Sequence, residues 1–288
     1  MRYQFIREQQ KVYPVNVLCK TLEVNRSGYY RFLKQRITVS FCEEQKILDE
    51  VKALHKQSNK SYGSRRIAKG LQAKGHKIGR YKARSLMHKA QIECKQRRRF
   101  KITTQSNHLL PIAKNVLNRE FTVTAPNNVW VADITYLWTN EGWLYLSAVL
   151  DLFSRRVVGW SLTNHMRESL VHDALVMAIG RRMPSGELMH HSDRGCQYAS
   201  NDYQDLLKQH RITVSMSRRG NCWDNAVMER FFGSLKSERT DNKVYLTREQ
   251  AKADVIDYIE MFYNSLRLHS TLGYRSPMQF EKENGVSC

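Results

Sequence analysis

The sequence lacks the features that define three classes of protein: those held by disulfides or zinc, those that span a membrane, and those with a signal peptide. Its six cysteines are scattered and include no C-x-x-C pair, so their spacing indicates neither a disulfide framework nor a zinc site. No apolar run approaches membrane-spanning length. The first ten residues, MRYQFIREQQ, are polar and charged, unlike a signal peptide. We therefore expect a cytoplasmic protein with reduced thiols and no membrane partner.

Acidic residues are also scarce in the first third of the chain. Residues 1–100 contain 25 Lys and Arg against 7 Asp and Glu, whereas residues 101–288 contain 22 against 20. The formal net charge of +20 is thus concentrated in one part of the chain. Such a concentration favours binding of a polyanion such as DNA, although a basic, soluble surface would have the same composition.

Residues 1–40 have the pattern of two short helices joined by a turn. Val15, Leu18 and Leu22 keep helical spacing, and Ser27 is the predicted N-cap of a second helix with the sequence GYYRFLK. This pattern predicts a helix-turn-helix-like segment. Two packed helices with no role in DNA binding would look similar.

Residues 41–100 predict a second, more basic helix-turn-helix-like domain. Helices are expected over 43–57, up to Gly75, and from about Gly79 onward. The exposed face of the last helix would carry the DNA-binding candidates Arg80, Lys82 and Arg84, together with Lys89. A merely solvated face is the alternative. Basic residues continue through Arg97, Arg98 and Arg99 into a predicted linker, 101–120, which would follow a phosphate backbone, act as a flexible tether, or both.

Residues 121–288 alternate strand-like and helix-like segments. Three strands in series predict an antiparallel meander at 127–138, 143–154 and 157–164. Further strands are predicted at 187–193 and 212–217, with helices at 167–182, 200–210, 225–238 and 247–266. We therefore predict an α/β domain in which one mixed five-stranded sheet is covered by helices on both faces.

Three acidic residues stand out against this pattern. Asp133 lies within the first predicted strand, where a charge is costly unless it is paired or binds metal. Asp193 ends the fourth strand after a gap of 59 residues, and Glu229 follows on a helix after a further gap of 35 residues. If the first and fourth strands are neighbours, the three carboxylates meet and suit two hard divalent cations acting on a phosphodiester. The alternative is that Asp133 caps a turn or pairs with an Arg, and that Glu229 is a surface residue.

The residues around these acids resemble a known family. The segments WVADIT at 130–135, HSDRGCQY at 191–198, WDNAVMERFFGSLK at 223–236 and YNSLRLHSTLGYRSP at 263–277 resemble the catalytic region of bacterial insertion-sequence transposases of the second-reading-frame type. These belong to the retroviral-integrase superfamily, whose signature is Asp, Asp and, after 35 residues, Glu. The basic segment before them resembles the helix-turn-helix part often fused upstream in such transposases.

The resemblance implies an RNase H-like catalytic domain over 121–288 that cleaves DNA ends and transfers strands. It implies Asp133, Asp193 and Glu229 as ligands of Mg²⁺ or Mn²⁺, with two ions expected. It also suggests Lys236 as a DNA contact, two helical turns after Glu229. Three further residues are candidates either for supporting the metal ligands or for facing the DNA: Asn225, Arg230 and Gln197.

The resemblance also implies partners. These are the element's terminal repeats, target DNA, the product of an upstream reading frame as a fusion or partner, and further copies of the chain assembled on DNA. The location would be the bacterial cytoplasm, in association with the nucleoid. The zinc-binding module of retroviral members is missing. Two other functions fit the basic N-terminal third equally well: a DNA-binding regulator without catalysis, and a nuclease that cuts without joining.

Overall fold

The computed structural model describes residues 2–35, 39–95, 111–218, 221–241 and 243–286. The chain divides into two compact units. One comprises residues 1–57 and 63–93, and the other comprises residues 58–62 and 94–288. The predicted domain boundaries at 40, 100 and 120 stay a prediction, and Arg97, Arg98 and Arg99 lie outside the described residues.

The first unit begins with three short helices, α1 (Arg2–Gln9), α2 (Val15–Thr21) and α3 (Arg26–Gln35). They share a core formed by Ile6, Leu18, Cys19 and Tyr29. The predicted pair α2 and α3 is confirmed, but the predicted N-cap, Ser27, is wrong. Ser27 lies inside α3, where its backbone N–H and its hydroxyl donate to the Asn25 side-chain oxygen at 2.9 and 2.7 Å. The Asn25 side chain before the helix thus accepts the bonds that a cap requires.

The same unit continues with α4 (Val39–Gln57), α5 (Ser64–Ala73) and α6 (Arg80–Lys89), as the pattern predicts. Their buried apolar residues include Val51, Ile67, Leu71, Ala83 and Leu86. Gly75 follows α5 with a φ of +92°, a conformation that side-chain-bearing residues rarely adopt, and it therefore ends the helix sharply. The basic residues Arg80, Lys82 and Arg84 of α6 are exposed.

The second unit is built on a five-stranded mixed sheet. Its strands are β1 (Val129–Thr139), β2 (Gly142–Asp151), β3 (Val157–Thr163), β4 (Met189–Ser192) and β5 (Thr213–Met216). The strand order is β3-β2-β1-β4-β5; the first three form the predicted antiparallel meander, and β4 runs parallel to β1 and β5. The first and fourth strands are therefore neighbours, which is the condition under which Asp133 and Asp193 can meet.

Helices cover both faces of this sheet. They are α7 (Glu168–Arg182), α8 (Asn201–Gln209), α9 (Ala226–Leu235), α10 (Arg248–Asp257) and α11 (Pro277–Glu283), with π-helical segments at Lys236–Thr240 and Tyr258–Asn264. On one face, Ala132 and its cross-strand partner Val149 pack with Val171 and Leu175 of α7. On the other, Leu144 packs with Ala251 of α10.

One contact shows how closely α7 approaches the sheet. A Cβ added to Gly159 of β3 would lie 2.1 Å from the carbonyl oxygen of Ala174 in α7. No side chain fits at that distance, so glycine is required there for packing rather than for its φ. Among the described residues, no helix combines the length and apolarity needed to cross a bilayer.

Candidate active site

Asp133 and Asp193 are brought together by the register of two parallel strands. The pairing of β4 with β1 aligns His191 with Val131. Asp193 comes two residues after His191, directly beyond the end of β4, and Asp133 comes two residues after Val131. Because side chains alternate between faces with a period of two, the same register places both carboxylates next to one another on one face. Both residues are half-buried.

Backbone donors hold each carboxylate in place. The Asp133 carboxylate accepts the N–H of Ile134 at 2.8 Å, and that of Asp193 accepts the N–H of Gly195 at 2.9 Å. A Cβ at Gly195 would lie 3.0 Å from the Asp193 carboxylate oxygen, so the turn after β4 packs tightly around this acid. The two side chains are therefore oriented by the fold before any ligand binds.

The surroundings of Asp133 oppose its ionisation. Burial raises the pKa of Asp133, and the negative charge of Asp193 and, to a smaller extent, that of Glu229 raise this pKa further. The Ile134 N–H and the Lys236 ammonium act in the opposite direction. Burial also raises the pKa of Glu229. Like charges held together away from water are unfavourable unless a cation offsets them.

Glu229 is presented by α9, which lies against β1. Phe231 and Leu235 of α9 are buried as the sequence predicts, whereas Val227 is half-buried. Immediately before the helix, the buried Asn225 side chain donates to the carbonyl oxygen of Ala132 at 3.2 Å. That bond ties the start of α9 to the residue preceding Asp133, and Glu229 lies one turn further on with an exposed side chain.

The donor chemistry of this trio fits a divalent metal, but the trio is not fully assembled. Within the described ranges, no three His, Cys, Asp or Glu side chains are already grouped closely enough to hold a metal ion. Asp133 and Asp193 are neighbours. The negative charge of Glu229 raises the pKa of Asp133 less than the negative charge of Asp193 does. Carboxylate oxygens are the ligands that Mg²⁺ and Mn²⁺ prefer, and a cation would offset the repulsion between the two aspartates. Glu229 would become the third metal ligand if its exposed side chain turned toward the two aspartates.

Comparison with known proteins gives the family. Integrase core domain families match residues 123–222 and 229–284, and an HTH-like domain family matches residues 43–100. The Escherichia coli transposase InsF for insertion sequence IS3A is 40% identical over 286 residues, covering 99% of this chain and 99% of its own. The chain belongs to this family of insertion-sequence transposases.

Two further similarities are found, one to a protein sequence and one to a solved structure. The uncharacterized 31 kDa protein of insertion element IS600 from Shigella sonnei is 41% identical and covers 92% of this transposase and 98% of its own length. A solved simian T-cell lymphotropic virus intasome, in complex with PP2A regulatory subunit B56 gamma, covers 80% of this chain and 73% of its own at 17% identity, with a TM-score of 0.46.

Family membership confirms the predicted RNase H-like catalytic core, the helix-turn-helix-like region and the assignment as a DNA polynucleotidyl transferase. It implies DNA binding and the use of a divalent metal.

Lys236 of the transposase directly follows α9 and lies near Asp133. Its ammonium group sits 5.1 Å from the centre of the Tyr136 ring, at the start of the first π-helical segment. Burial lowers the pKa of Lys236, while the charges of Asp241 and Asp133 raise it. A half-buried cation near Asp133 is well placed for a phosphate that approaches the acids.

The other predicted DNA contacts fall into two groups. Arg80, Lys82 and Arg84 are exposed on α6, and Lys82 lies 3.8 Å from Glu44. Arg230 is exposed and lines a cavity of about 260 Å³ beside α9. By contrast, the buried Asn225 and Gln197 bond to backbone carbonyls, Gln197 to that of Met166 at 3.0 Å. The structure thus gives these two side chains a part in positioning the turn and helix that carry the acids.

One residue that sequence reasoning did not single out is Asp224. Its fully buried carboxylate is bound by Arg218 through two 2.9 Å bonds, by Arg119 at 2.8 Å and by Asn115 at 2.8 Å. Its hydrogen bonds to Arg218 hold the pKa of Asp224 far below its ordinary value. This anchor fixes the chain just before Asn225 and α9. A sequence signal exists, because Asp224 lies inside the WDN motif, but the motif does not reveal its partners.

A second unanticipated contact follows Lys236. The buried Glu238 carboxylate makes two bonds with Arg267, at 2.7 and 2.8 Å, and accepts the Tyr258 hydroxyl at 2.9 Å. Arg267 also belongs to a motif quoted for the family resemblance, YNSLRLH. The Tyr258 bond holds the first π-helical segment, which begins at Lys236, against the second, and the ion pair with Arg267 holds it against the residues that follow the second.

Proposed function

We propose that Asp133, Asp193 and Glu229 together bind the divalent metal of this transposase. They would hold two Mg²⁺ or Mn²⁺ ions at the site where DNA ends are cleaved and joined. The observation that carries this proposal is the pair of half-buried aspartates, Asp133 in β1 and Asp193 directly after β4, where burial and then the negative charge of Asp193 raise the pKa of Asp133. Such a pair costs stability unless a cation is bound there.

The side chains of the site have separate tasks in this proposal. Asp133 and Asp193 supply oxygen ligands on a rigid sheet, and Glu229 supplies a third from a helix that Asn225 ties to β1. Lys236 binds a phosphate oxygen of the DNA strand next to the acids. When bound, the metal supplies an activated attacking oxygen and stabilises the leaving oxygen.

DNA recognition is proposed to begin in the first unit. The exposed cations of α6, Arg80, Lys82 and Arg84, would contact the element's terminal repeats, and the basic stretch with Arg97, Arg98 and Arg99 would follow the phosphate backbone. The relatives named as transposases of insertion sequences support such ends as the substrate. Assembly of several copies on paired ends, an upstream-frame partner and association with the nucleoid belong to the same proposal.

An end-joining assay tests the proposed site. The protein is incubated with labelled duplexes that carry the element's ends, in Mg²⁺ or Mn²⁺, with and without the upstream-frame product. Glu229→Gln should bind the duplex as wild type does and yield neither cleaved nor joined product, because a neutral amide is a poor ligand for these ions. The matched control is Glu249→Gln, whose side chain is 79% exposed on α10, and it should react normally.

Two results of this assay would change the conclusion. Joined product from Glu229→Gln would remove that residue from the site. Cleaved product without joining, from wild type in both metals and with the partner present, would favour a nuclease.

A further inference from the structure

The strand that carries Asp133 has an edge that continues beyond its sheet partner. β4 pairs with β1 only over Val129–Val131, whereas β1 extends to Thr139. Among the described strands, none pairs with β1 on that side after Asp133. The stretch from Ile134 to Trp138 therefore borders a cavity of about 600 Å³ instead of another strand.

Aromatic side chains line this cavity. Trp138 and Trp143 are direct cross-strand partners, with ring centres 4.8 Å apart and planes at 75°. The Tyr136 ring meets Trp143 edge-on at 5.0 Å. Trp138 is 59% exposed and Trp143 is 43% exposed. Two exposed indoles fixed against one another are unusual for a surface that binds nothing, because aromatic side chains gain most from burial.

The opposite wall supplies charge. It is formed by the π-helical segment and the residues after it, including Lys236, Asp241 and Lys243. Lys243 is bound to Asp254 at 2.6 Å, and the ammonium group of Lys236 lies 5.1 Å from the centre of the Tyr136 ring. Lys236 also lies within the electrostatic reach of Asp133, and Asp133 directly precedes Ile134, the first β1 residue that lines the cavity.

We propose that this groove, formed by Ile134–Trp138, Trp143 and the segment beginning at Lys236, binds unstacked nucleotides of a single-stranded DNA end. Trp138 and Trp143 would stack on bases, and Lys236 would bind the phosphate between them and the acids. Aromatic faces beside cations are how proteins hold single strands without reading their sequence. In a duplex the base faces are covered by stacking, so the groove would select ends that have opened.

This inference rests on the proposed function, because it assigns the substrate form that reaches the same acids. It accounts for an exposed aromatic pair that neither the metal site nor the helix-turn-helix-like region uses. A second copy of the chain seated on the two indoles would be the other occupant of such a surface, and the test below includes it.

The experiment measures base stacking directly and needs no catalysis. The full-length protein is mixed, in EDTA, with a short single strand that carries 2-aminopurine at its 3′ end, and with a blunt duplex of the same sequence. Stacking on an indole quenches 2-aminopurine. Wild type should quench the single-stranded probe, and Trp138→Ala should lose the quenching and bind this probe about tenfold or more weakly. Trp138→Phe should restore much of both.

A matched control separates stacking from general loss of apolar surface. Met261→Ala removes an apolar side chain that is 65% exposed in the same unit, away from the groove, and should behave as wild type. Duplex binding should be the same in all variants. The proposal is overturned if Trp138→Ala quenches and binds the single strand normally, or if it weakens duplex binding equally. It is also overturned if, without DNA, the variant changes the oligomeric mass, since the groove would then be an interface between copies. None of these outcomes bears on the metal ligands, which the Glu229→Gln assay tests separately.

Discussion

Replacing Arg267 with methionine removes one half of a fully desolvated ion pair. The Arg267 and Glu238 side chains are only 5% and 8% exposed, and two bonds of 2.7 and 2.8 Å join them. The variant would remove both Arg267 bonds from the buried Glu238 carboxylate, while the bond from the Tyr258 hydroxyl stays. Breaking a buried pair in this way costs about 3–5 kcal/mol, because the remaining charge loses its ion-pair partner.

The assay is urea denaturation followed by tryptophan fluorescence. All five tryptophans lie after residue 129, so the signal reports on the second unit alone. The double variant Glu238→Gln with Arg267→Met should recover a large part of the lost stability, because no unpaired charge remains. Arg181→Met is the matched control: its bond to Glu260 is also 2.8 Å, but its side chain is 43% exposed, so the loss should stay below about 1 kcal/mol.

An equal, small loss for Arg267→Met and Arg181→Met would refute this reasoning. It would mean that water reaches the Glu238 carboxylate and that the ion pair does not fix the π-helical segment after Lys236.

Two further predictions concern acid stability and DNA binding. Burial, with a smaller effect from the charge of His191, lowers the pKa of His190 from 6.5 to about 3, and its ring bonds to the Tyr203 hydroxyl at 2.9 Å. Between those pH values the unfolded chain binds a proton that the folded chain excludes, so stability should fall by about 1.4 kcal/mol per pH unit on acidification. His190→Gln should reduce the stability difference between pH 7 and pH 5 by about 2 kcal/mol; an unchanged difference would contradict the burial argument. For DNA, Arg80→Ala and Arg84→Ala should each lower the salt slope of duplex binding by about 1, as measured by fluorescence anisotropy. Lys52→Ala, on the neighbouring α4, should leave the slope unchanged, and unchanged slopes for all three would remove α6 from the interface.

Some parts of this structure follow from local sequence patterns, and others depend on partners remote in the chain. The meander follows from β-branched and aromatic runs separated by short turns, and β4 follows from the short apolar run before Asp193, but its pairing with β1 does not follow from the sequence. Helix α1 was not predicted because RYQFIREQ has little apolar periodicity and buries only Ile6. Helix α11 was not predicted because PMQFEKE is polar; its Glu281 is buried only because Arg156, Arg182 and Ser154 surround it.

The same distinction holds within the site. Spacing and flanking motifs single out Asp133, Asp193 and Glu229, since the chemistry needs those residue types. They do not reveal that Asn225 ties α9 to β1, that Asp224 is anchored by two arginines, or that Trp138 and Trp143 pair on an exposed edge. The first depends on a contact between residues 93 positions apart and the second on Arg119, 105 positions from Asp224, which no local period encodes. The tryptophan pair depends on the register of the turn between β1 and β2 and on the surroundings that leave both rings exposed.

The most direct test of the account is a structure of the transposase bound to an element end with Mn²⁺, located by its anomalous signal. We predict that Mn²⁺ is bound by oxygens of Asp133, Asp193 and Glu229, with metal–oxygen distances of roughly 2.0–2.4 Å. The Glu229 side chain should then be turned toward the aspartates. Mn²⁺ bound elsewhere, or bound by the aspartates while Glu229 stays in solvent, would contradict the claim that these three carboxylates form the catalytic centre.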